Sequence, residues 1–365
     1  MVVSQTLIKV SMSKSNDAGI WSNFIEKCPR ASVYHTWEWK ELIEKTYGVK
    51  VFRLVAKENN TIVGVLPFAT FDSVLFGRKI VSLPFSDVGG FCVSDGYSEC
   101  SKGLVLELLR IAKKLNAEFV ELRMLSQEEE NLSRLGFVIG FQAFTYRLNT
   151  KSPYDKIQAA YSKKIRKNIR KAKKDGLRVR EAKKISDVDK YYKLYLGRMK
   201  DFGTPPAPLS FWRNMWRIFY PENMMKLIFT VVDDREIAGF ISLLFKKNVY
   251  FILNVSSKVH WKYRGLNDIL FDEYIKYACE HGYESVDFGR TRIDTGVYGF
   301  KEKGWGCEQV PLNKYYSFLR GKMRNPLDTQ LSSNMTIYAK AFSTFCPTFL
   351  APIFGCWIRQ RAGDV

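Results

Sequence analysis

The sequence has little of what builds metal sites or disulfide frameworks. Its seven cysteines (Cys28, Cys92, Cys100, Cys279, Cys307, Cys346, Cys356) form no Cys-x-x-Cys pair, and only His35, His260 and His281 stand beside them. This argues against a zinc site or other metal centre, and the odd count suits a reducing cytoplasm. Long apolar runs are missing too. The nearest candidate, Thr336 to Ile358, is interrupted by Lys340, Pro347 and Pro352, which speaks against a spanning helix. The first residues, MVVSQTLIKVSMSKSND, lack the apolar core of a secretory signal. There is no Gly-x-Ser-x-Gly elbow and no Cys/His pair in recognisable local context, so no covalent nucleophile is evident. Acids are the minority charge: 37 Asp+Glu against 57 Lys+Arg leave a net charge of +20. Such an excess predicts an anionic partner, whether nucleic acid, acidic lipid headgroups or phosphorylated small molecules, without choosing among them.

What is present suffices for two domains. The chain has 365 residues, 46% of them hydrophobic and 15% aromatic, enough for each half to bury a core of its own. An internal repeat supports this division. Val51 to Phe68 (VFRLVAKENNTIVGVLPF) and Leu227 to Leu244 (LIFTVVDDREIAGFISLL) each read as a strand, a polar turn and a second strand with Gly64 or Gly239 at the same place. A helical stretch follows in each half, Lys102 to Asn116 and Leu266 to His281, then a short strand, Glu118 to Leu122 and Glu284 to Phe288. Each then reaches a Gly-aromatic pair, Gly136-Phe137 or Gly304-Trp305, and a final apolar run. Both halves open with helices: Thr36 is a cap for one running to Tyr47 and ended by Gly48, and Ser210 for one running to about Tyr220. The order is mixed α/β, unlike the strand-helix alternation of a doubly wound nucleotide-binding sheet. The expected division is residues 1–150, residues 151–320 with a seam near Thr150 to Pro153, and a tail, 321–365, that packs back on the first half or lies along a surface.

The second half carries the most specific pattern: Asp287-Phe288-Gly289-Arg290-Thr291, then Gly296-Val297-Tyr298, Phe300-Lys301 and Trp305-Gly306. Together with the basic segment Ser162 to Gly176 and the loop Gly203-Thr204-Pro205-Pro206, it resembles the FemAB family, whose members carry two GNAT-like acyltransferase folds in tandem. The resemblance covers roughly residues 30 to 320 and is weaker in the first half. The chain lacks the long helical-hairpin insertion that some members carry. The resemblance implies two mixed, twisted sheets flanked by helices. It also implies direct transfer of an amino-acyl group from aminoacyl-tRNA to an amine of a cell-envelope precursor, with no permanently bound cofactor. Family members linked to envelope polysaccharide systems have no settled substrate, and this chain looks closer to those.

Acyl transfer to an amine needs a positioned neutral amine, an activated ester or thioester, and a positive group where the oxyanion forms. The matching lysine of the family implies the oxyanion role for Lys301, beside Phe300 in the donor pocket. A loop lysine is otherwise simply solvated, and Phe300 is equally suited to core packing. Arg290 and Arg292 follow the end of the Asp-Phe-Gly strand, where α/β sheets meet ligands, and an arginine there takes phosphate or carboxylate in bidentate fashion. An ion pair with Asp287 or Asp294 is the plainer reading. Gly289, Tyr298 and Trp305 complete the expected substrate site. Asp87, in Pro84-Phe85-Ser86-Asp87-Val88-Gly89-Gly90, and Asp95 resemble the acceptor side of the family, although turn chemistry accounts for them as well.

Tyr161 to Lys174 (YSKKIRKNIRKAKK) holds eight Lys/Arg and no acid, with Ile165, Ile169 and Ala172 at helical spacing. Lys163, Lys164, Arg166, Lys167 and Arg170 are therefore candidates for a tRNA backbone, a polyphosphate or an anionic membrane. The alternative donor is acyl-CoA, whose pyrophosphate simple GNAT enzymes hold on an Arg/Gln-x-x-Gly-x-Gly/Ala turn at a helix start. Here the turn is Lys262-Tyr263-Arg264-Gly265-Leu266-Asn267, which keeps one glycine and ends in Asn267, itself a candidate helix cap. A third reading, a non-enzymatic nucleic-acid-binding protein, rests on charge alone. The expected location is the cytoplasm, with peripheral contact at the inner face of the membrane, and the expected state is a monomer. The aromatic tail, with Phe342, Phe349, Phe354 and Trp357, either docks on the domain or lies in the membrane interface.

Overall fold

A computed structural model describes residues 8–13, 17–74, 76–125, 129–256, 261–291, 300–301, 304–320, 346–347 and 350–363. The chain divides into two compact units, one holding Met1–Gln142 and Leu312–Leu331, the other Ala143–Pro311. The remaining C-terminal residues are shared between them.

The first half runs β1 (Lys9–Met12), α1 (Ala18–Lys27), α2 (Trp37–Tyr47), β2 (Val51–Glu58), β3 (Thr61–Ser73), β4 (Gly77–Val81), β5 (Cys92–Val93), α3 (Glu99–Lys114), β6 (Phe119–Leu125), α4 (Glu129–Ser133) and β7 (Val138–Asn149). The second runs α5 (Tyr154–Ala160), α6 (Lys163–Lys174), β8 (Arg178–Glu181), α7 (Ile185–Phe202), α8 (Leu209–Phe219), β9 (Met225–Val232), β10 (Arg235–Phe245), β11 (Asn248–Ser256), α9 (Asp268–Glu280), β12 (Ser285–Asp287) and β13 (Glu308–Phe318), with α10 (Ala351–Ala362) beyond.

Helix α2 starts where its sequence says. Thr36 Oγ1 accepts from Trp39 N at 3.3 Å, and Gly48 closes the helix in the left-handed region at φ 67°. Ser210 does not cap α8, which already begins at Leu209 behind Pro208. Proline sets the entry angle there, and the serine lies inside the first turn.

Both repeat hairpins form. Asn59 and Asn60 turn β2 into β3, and Asp233 and Asp234 turn β9 into β10, all four with positive φ. Tight two-residue turns of this kind match the twist of the strands, and Asn or Asp tolerates the conformation. The repeated glycines mark close approach of a helix. A Cβ at Gly64 would stand 3.2 Å from Leu104 of α3, and one at Gly239 would stand 2.8 Å from the Tyr191 ring of α7.

In the first unit the strand order is β1-β2-β3-β4-β6-β13, with β5 added to β3. In the second it is β7-β12-β11-β10-β9-β8. Each unit is completed by the last strand of the other half of the sequence: Leu312–Phe318 of β13 pair with Phe119–Leu125 of β6, and Arg147–Asn149 of β7 pair with Ser285–Asp287 of β12. The small edge strands β1 and β8 extend the hairpins by antiparallel pairing.

One parallel pairing occurs at the same place in each unit, and it positions the sites. In the first, Lys79–Val81 of β4 run beside Phe119–Glu121 of β6. In the second, Asn248–Tyr250 of β11 run beside Ser285–Asp287 of β12. Beyond these three residue pairs β11 continues to Ser256 while the chain after Asp287 turns away, so the two strands part. The core of the second unit packs α6 through Ile165, Ile169 and Ala172, and α9 through Leu270, Tyr274 and Ala278, against the sheet residues Phe240, Phe251 and Val286. In the first unit α3 does the same with Leu104, Val105, Leu108 and Ala112.

These close approaches set the cost of adding a methyl group. Gly239→Ala must displace the fully buried Tyr191 and is expected to cost about 1–3 kcal/mol. Gly197→Ala on the exposed face of α7 meets nothing within 4 Å and is expected to gain up to about 1 kcal/mol. Chemical denaturation of the two variants reads both values.

Candidate functional site

The site of the second unit is built on the parting of β11 and β12. Asp287, last residue of β12, is buried, and its carboxylate has three partners: Thr145 Oγ1, Gly289 N at 2.9 Å and Arg147 Nε at 3.1 Å. The bond to Gly289 N closes an Asx turn. Gly289 sits at φ 71°, a conformation that a side chain strains. The chain leaves β11 here while still bonded to β7, and the carbonyls of Phe288 and Gly289 face Lys301, whose Nζ donates to them at 2.5 and 3.1 Å. Lys301 is only 8% exposed. It is therefore not a solvated loop lysine but a cation fixed where the two strands separate.

Aromatic rings wall this position. Phe300 meets Phe271 edge-on at 5.1 Å and Trp305 at 5.9 Å. Trp305 also packs on Phe271 at 5.5 Å and Tyr161 at 5.0 Å. At 1% exposure Trp305 braces Phe300 from behind, whereas Phe300 is partly exposed. Arg290 is exposed at the strand end, and the ion pair of Asp287 goes to Arg147 on β7 instead. Arg292 and Tyr298 lie outside the described residues. Thr145 and Arg147 carry no sequence signal linking them to Asp287, because the sequence separation exceeds a hundred residues and only the β7–β12 pairing brings them together.

The basic helix starts at the same place. Ser162 N donates to the carbonyl of Gly304 at 2.9 Å, and a Cβ at Gly304 would stand 2.7 Å from Ser162 Oγ. From there α6 buries Ile165, Asn168, Ile169 and Ala172. Lys163, Lys164, Lys167 and Arg170 face solvent, and Arg166 is half-buried, with its Nη1 on the carbonyl of Ala159 at 2.7 Å. A groove of about 640 Å³ runs along this face, lined by Gln158, Lys163, Arg166, Lys167, Ile169, Arg170 and Lys173. Its lining holds five cations and no acid.

The turn before α9, where a simple GNAT enzyme holds a pyrophosphate, is filled. Gly265 is at φ 85°, and a Cβ there would lie 2.2 Å from the backbone carbonyl of Asn168 on α6. Arg264 Nε donates to Asn168 Oδ1 at 2.7 Å, so the arginine of this turn is spent on α6. The first turn of α9 also holds a buried carboxylate, Asp268, raised above the usual range by burial and partly offset by Asn168. Asn267 makes no side-chain capping bond there. Backbone, arginine and acid together leave this helix start unsuited to a second anion.

The first unit has a different site at its parting strands. Arg123 is 1% exposed and bonds Glu121 through Nε at 2.8 Å and the Ser86 carbonyl through Nη1 at 2.9 Å. Lys314 joins Glu121 at 3.5 Å. The loop 82–90 is tied to the same strand: Gly89 N and Gly90 N donate to the Arg123 carbonyl at 3.1 and 3.0 Å, and His35 Nε2 meets the Gly90 carbonyl at 3.1 Å. Leu83 and Phe85 in this loop have φ values of 34° and 61°, conformations that side chains rarely adopt. Asp87 is on this loop and half-buried, while Asp95 is exposed on the turn before α3. The buried charges Arg123, Glu121 and Lys314 stand on strands as isolated ions in apolar runs, which is the one signal the sequence held for them.

The thiol of Cys307, which feels the charges of Lys301 and Asp287, is chemically quiet. Burial pushes Cys307 up to about 12, with Asp287 adding to the shift and Lys301 opposing it. At pH 8 roughly one molecule in 10⁴ carries the thiolate. Iodoacetamide at that pH is expected to spare Cys307 in the folded protein and to modify it after denaturation, as read by peptide mass spectrometry.

Residues 159–302 match the acetyltransferase (GNAT) domain family. No curated protein matches the sequence. Among solved structures the fold is similar to FemX, at 15% identity over 88% of this chain and 99% of that one, TM-score 0.69. It is also similar to a tandem GNAT protein from the clavulanic acid biosynthesis pathway, at 12% identity over 87% of this chain and 100% of that one, TM-score 0.56. A further similar structure is the C-terminal domain of a putative lysylphosphatidylglycerol synthetase from Agrobacterium fabrum, at 14% identity over 96% of this chain and 99% of that one, TM-score 0.54. The GNAT match covers residues 159–302, and the fold of the chain is similar to that of tandem GNAT structures, FemX among the solved structures it resembles.

Proposed function

We propose that the chain transfers an amino-acyl group from aminoacyl-tRNA to an amine of a cell-envelope precursor, by direct attack and without a covalent enzyme intermediate. The observation that carries this reading is the filled turn at Gly265 together with the basic groove along α6, whose lining holds no acid. The first occupies the turn on which simple GNAT enzymes hold a CoA pyrophosphate and so supports a different donor. The second offers a phosphate-binding surface that begins beside the lysine of the site.

In this reading the donor ester enters the cleft between β11 and β12, with Phe300 against its acyl group. The acceptor amine attacks the ester carbonyl, and negative charge develops on the carbonyl oxygen. Lys301, held by the Phe288 and Gly289 carbonyls, is already in place when that charge forms, so little reorganisation is needed. The intermediate collapses with the ribose hydroxyl as leaving group. Asp287 acts through position: it holds the turn that aims the two carbonyls.

A screen of radiolabelled aminoacyl-tRNAs and acyl-CoAs, with amine-bearing envelope precursors as acceptors, tests the reading. Transfer from aminoacyl-tRNA is expected, and transfer from CoA thioesters alone would overturn it. With the active donor, Lys301→Ala is expected to lower kcat by about 10²–10³-fold, the usual loss for one oxyanion partner. Separately, the triple reversal Lys163→Glu, Lys167→Glu, Arg170→Glu is expected to weaken tRNA binding in filter-binding assays. It should also flatten the dependence of log K on log salt, because every phosphate that the helix no longer neutralises lowers that slope by just under about 1.

A further inference from the structure

Helix α10 is built inside out. Its residues APIFGCWIRQRA contain no acid and carry two arginines, Arg359 and Arg361, in the last turn. The buried stripe is Ala351, Gly355 and Arg359, at spacings of four. Gly355 is seated so tightly that a Cβ would lie 1.8 Å from the carbonyl of Pro206. The large apolar residues point the other way: Ile353 is 64% exposed, Phe354 52% and Trp357 40%. The guanidinium of Arg361 lies over the Trp357 ring, its Cζ 4.5 Å from the ring centroid. A soluble helix ordinarily buries such residues and exposes small or polar ones. The helix here is held through Ala351, Gly355 and Arg359, and its apolar ridge has no cover among the described residues.

A second group of the same composition includes Phe202, the last residue of α7, just before the loop on which Gly355 sits. Phe202 and Trp261 are each 52% exposed. They flank Arg198, whose guanidinium is 3.8 Å from the Phe202 ring and 4.8 Å from the Trp261 ring.

We infer that α10 is a membrane-interface anchor whose Ile353–Phe354–Trp357 ridge enters the headgroup region of an anionic phospholipid bilayer. The chemistry of the ridge fits that environment. Tryptophan and phenylalanine settle at the boundary between headgroups and acyl chains, and Arg361, beside Trp357, is the arginine placed to meet a phosphate. The net charge of +20 supplies the attraction to acidic headgroups. A second copy of the chain is the poorer occupant, because three side chains expose roughly 300 Å², well short of the about 800 Å² per partner that a stable interface buries. The helix has 12 residues, too few to span a bilayer, so the anchor lies along the surface. This inference does not depend on the identity of the acyl donor.

Co-sedimentation of the full chain with vesicles tests it. Vesicles of phosphatidylcholine containing about a third phosphatidylglycerol are expected to bind the protein, and pure phosphatidylcholine to bind it much less. The variant Ile353→Ser, Phe354→Ser, Trp357→Ser should lose at least about 10-fold in vesicle affinity at unchanged melting temperature. Binding equal to that of the parent chain would overturn the inference. So would loss of binding only on charge reversal of α6, or a wild-type dimer that the ridge variant converts to monomer. Should the triple variant fail to fold, Trp357→Phe keeps the ridge apolar. Brominated lipids should then quench tryptophan fluorescence less than in the parent, and equal quenching would overturn the inference.

Discussion

The second-unit site depends on a single clasp, the ammonium of Lys301 held between the carbonyls of Phe288 and Gly289. Two parallel strands that part leave backbone carbonyls at the open end with no ladder partner, and buried carbonyls need one. Lys301 supplies it from a helical residue 12 positions beyond Gly289. The same contact closes the turn and brings a charge to the mouth of the cleft. Asp287 holds the other side of the turn through Gly289 N. Structure and chemistry are therefore not separable at this lysine: the bond that satisfies the fold also places the cation.

The basic helix follows from a related constraint. Eight like charges on one helix repel, and α6 stays in place because its inner stripe is firmly buried and its start is tied to Gly304. Beneath it, two acids of α9 offset part of the charge. Asp268 and Asp272 are both pushed upward by burial, with Lys164 and Lys173 of α6 among the groups that pull them back. These acids face inward, so the outer face keeps its positive field. A helix packed in this way fills the glycine turn before α9 and leaves a broader positively charged surface beside it.

The first unit repeats the architecture with other chemistry. Where the second unit has a lysine on backbone carbonyls, the first has the buried Arg123–Glu121–Lys314 group, which fixes a loop of unusual backbone conformation. Removing one member of such a group would leave a buried charge unpaired in a low dielectric, at a cost of about 3–5 kcal/mol. The group stabilises a loop shape that Leu83 and Phe85 would not adopt alone. One fold thus carries two differently equipped clefts in the same chain.

The hairpins with their paired glycines, the caps at Thr36 and Gly48, the basic helix and the tandem order were legible in the sequence because each is a local pattern of period, turn chemistry or charge. Lys301, Phe300 and Gly289 were legible only through a resemblance, since a lysine after a phenylalanine has no local signature. Ser210 misled because a serine before an apolar run reads as a cap, while Pro208 had already started the helix. The partners of Asp287 were invisible, as was the exchange of final strands between the two halves of the sequence, because strand pairing across more than a hundred residues leaves no trace in spacing. The outward ridge of α10 belongs to the same class. Its sequence is apolar and aromatic, which reads as core; only the contact of Gly355 with Pro206 decides which side faces in. The sequence determined which elements form and where the charge lies, through interactions within a few residues; the tertiary structure decided which carbonyls Lys301 holds and which side of α10 is buried, because those depend on packing between distant segments.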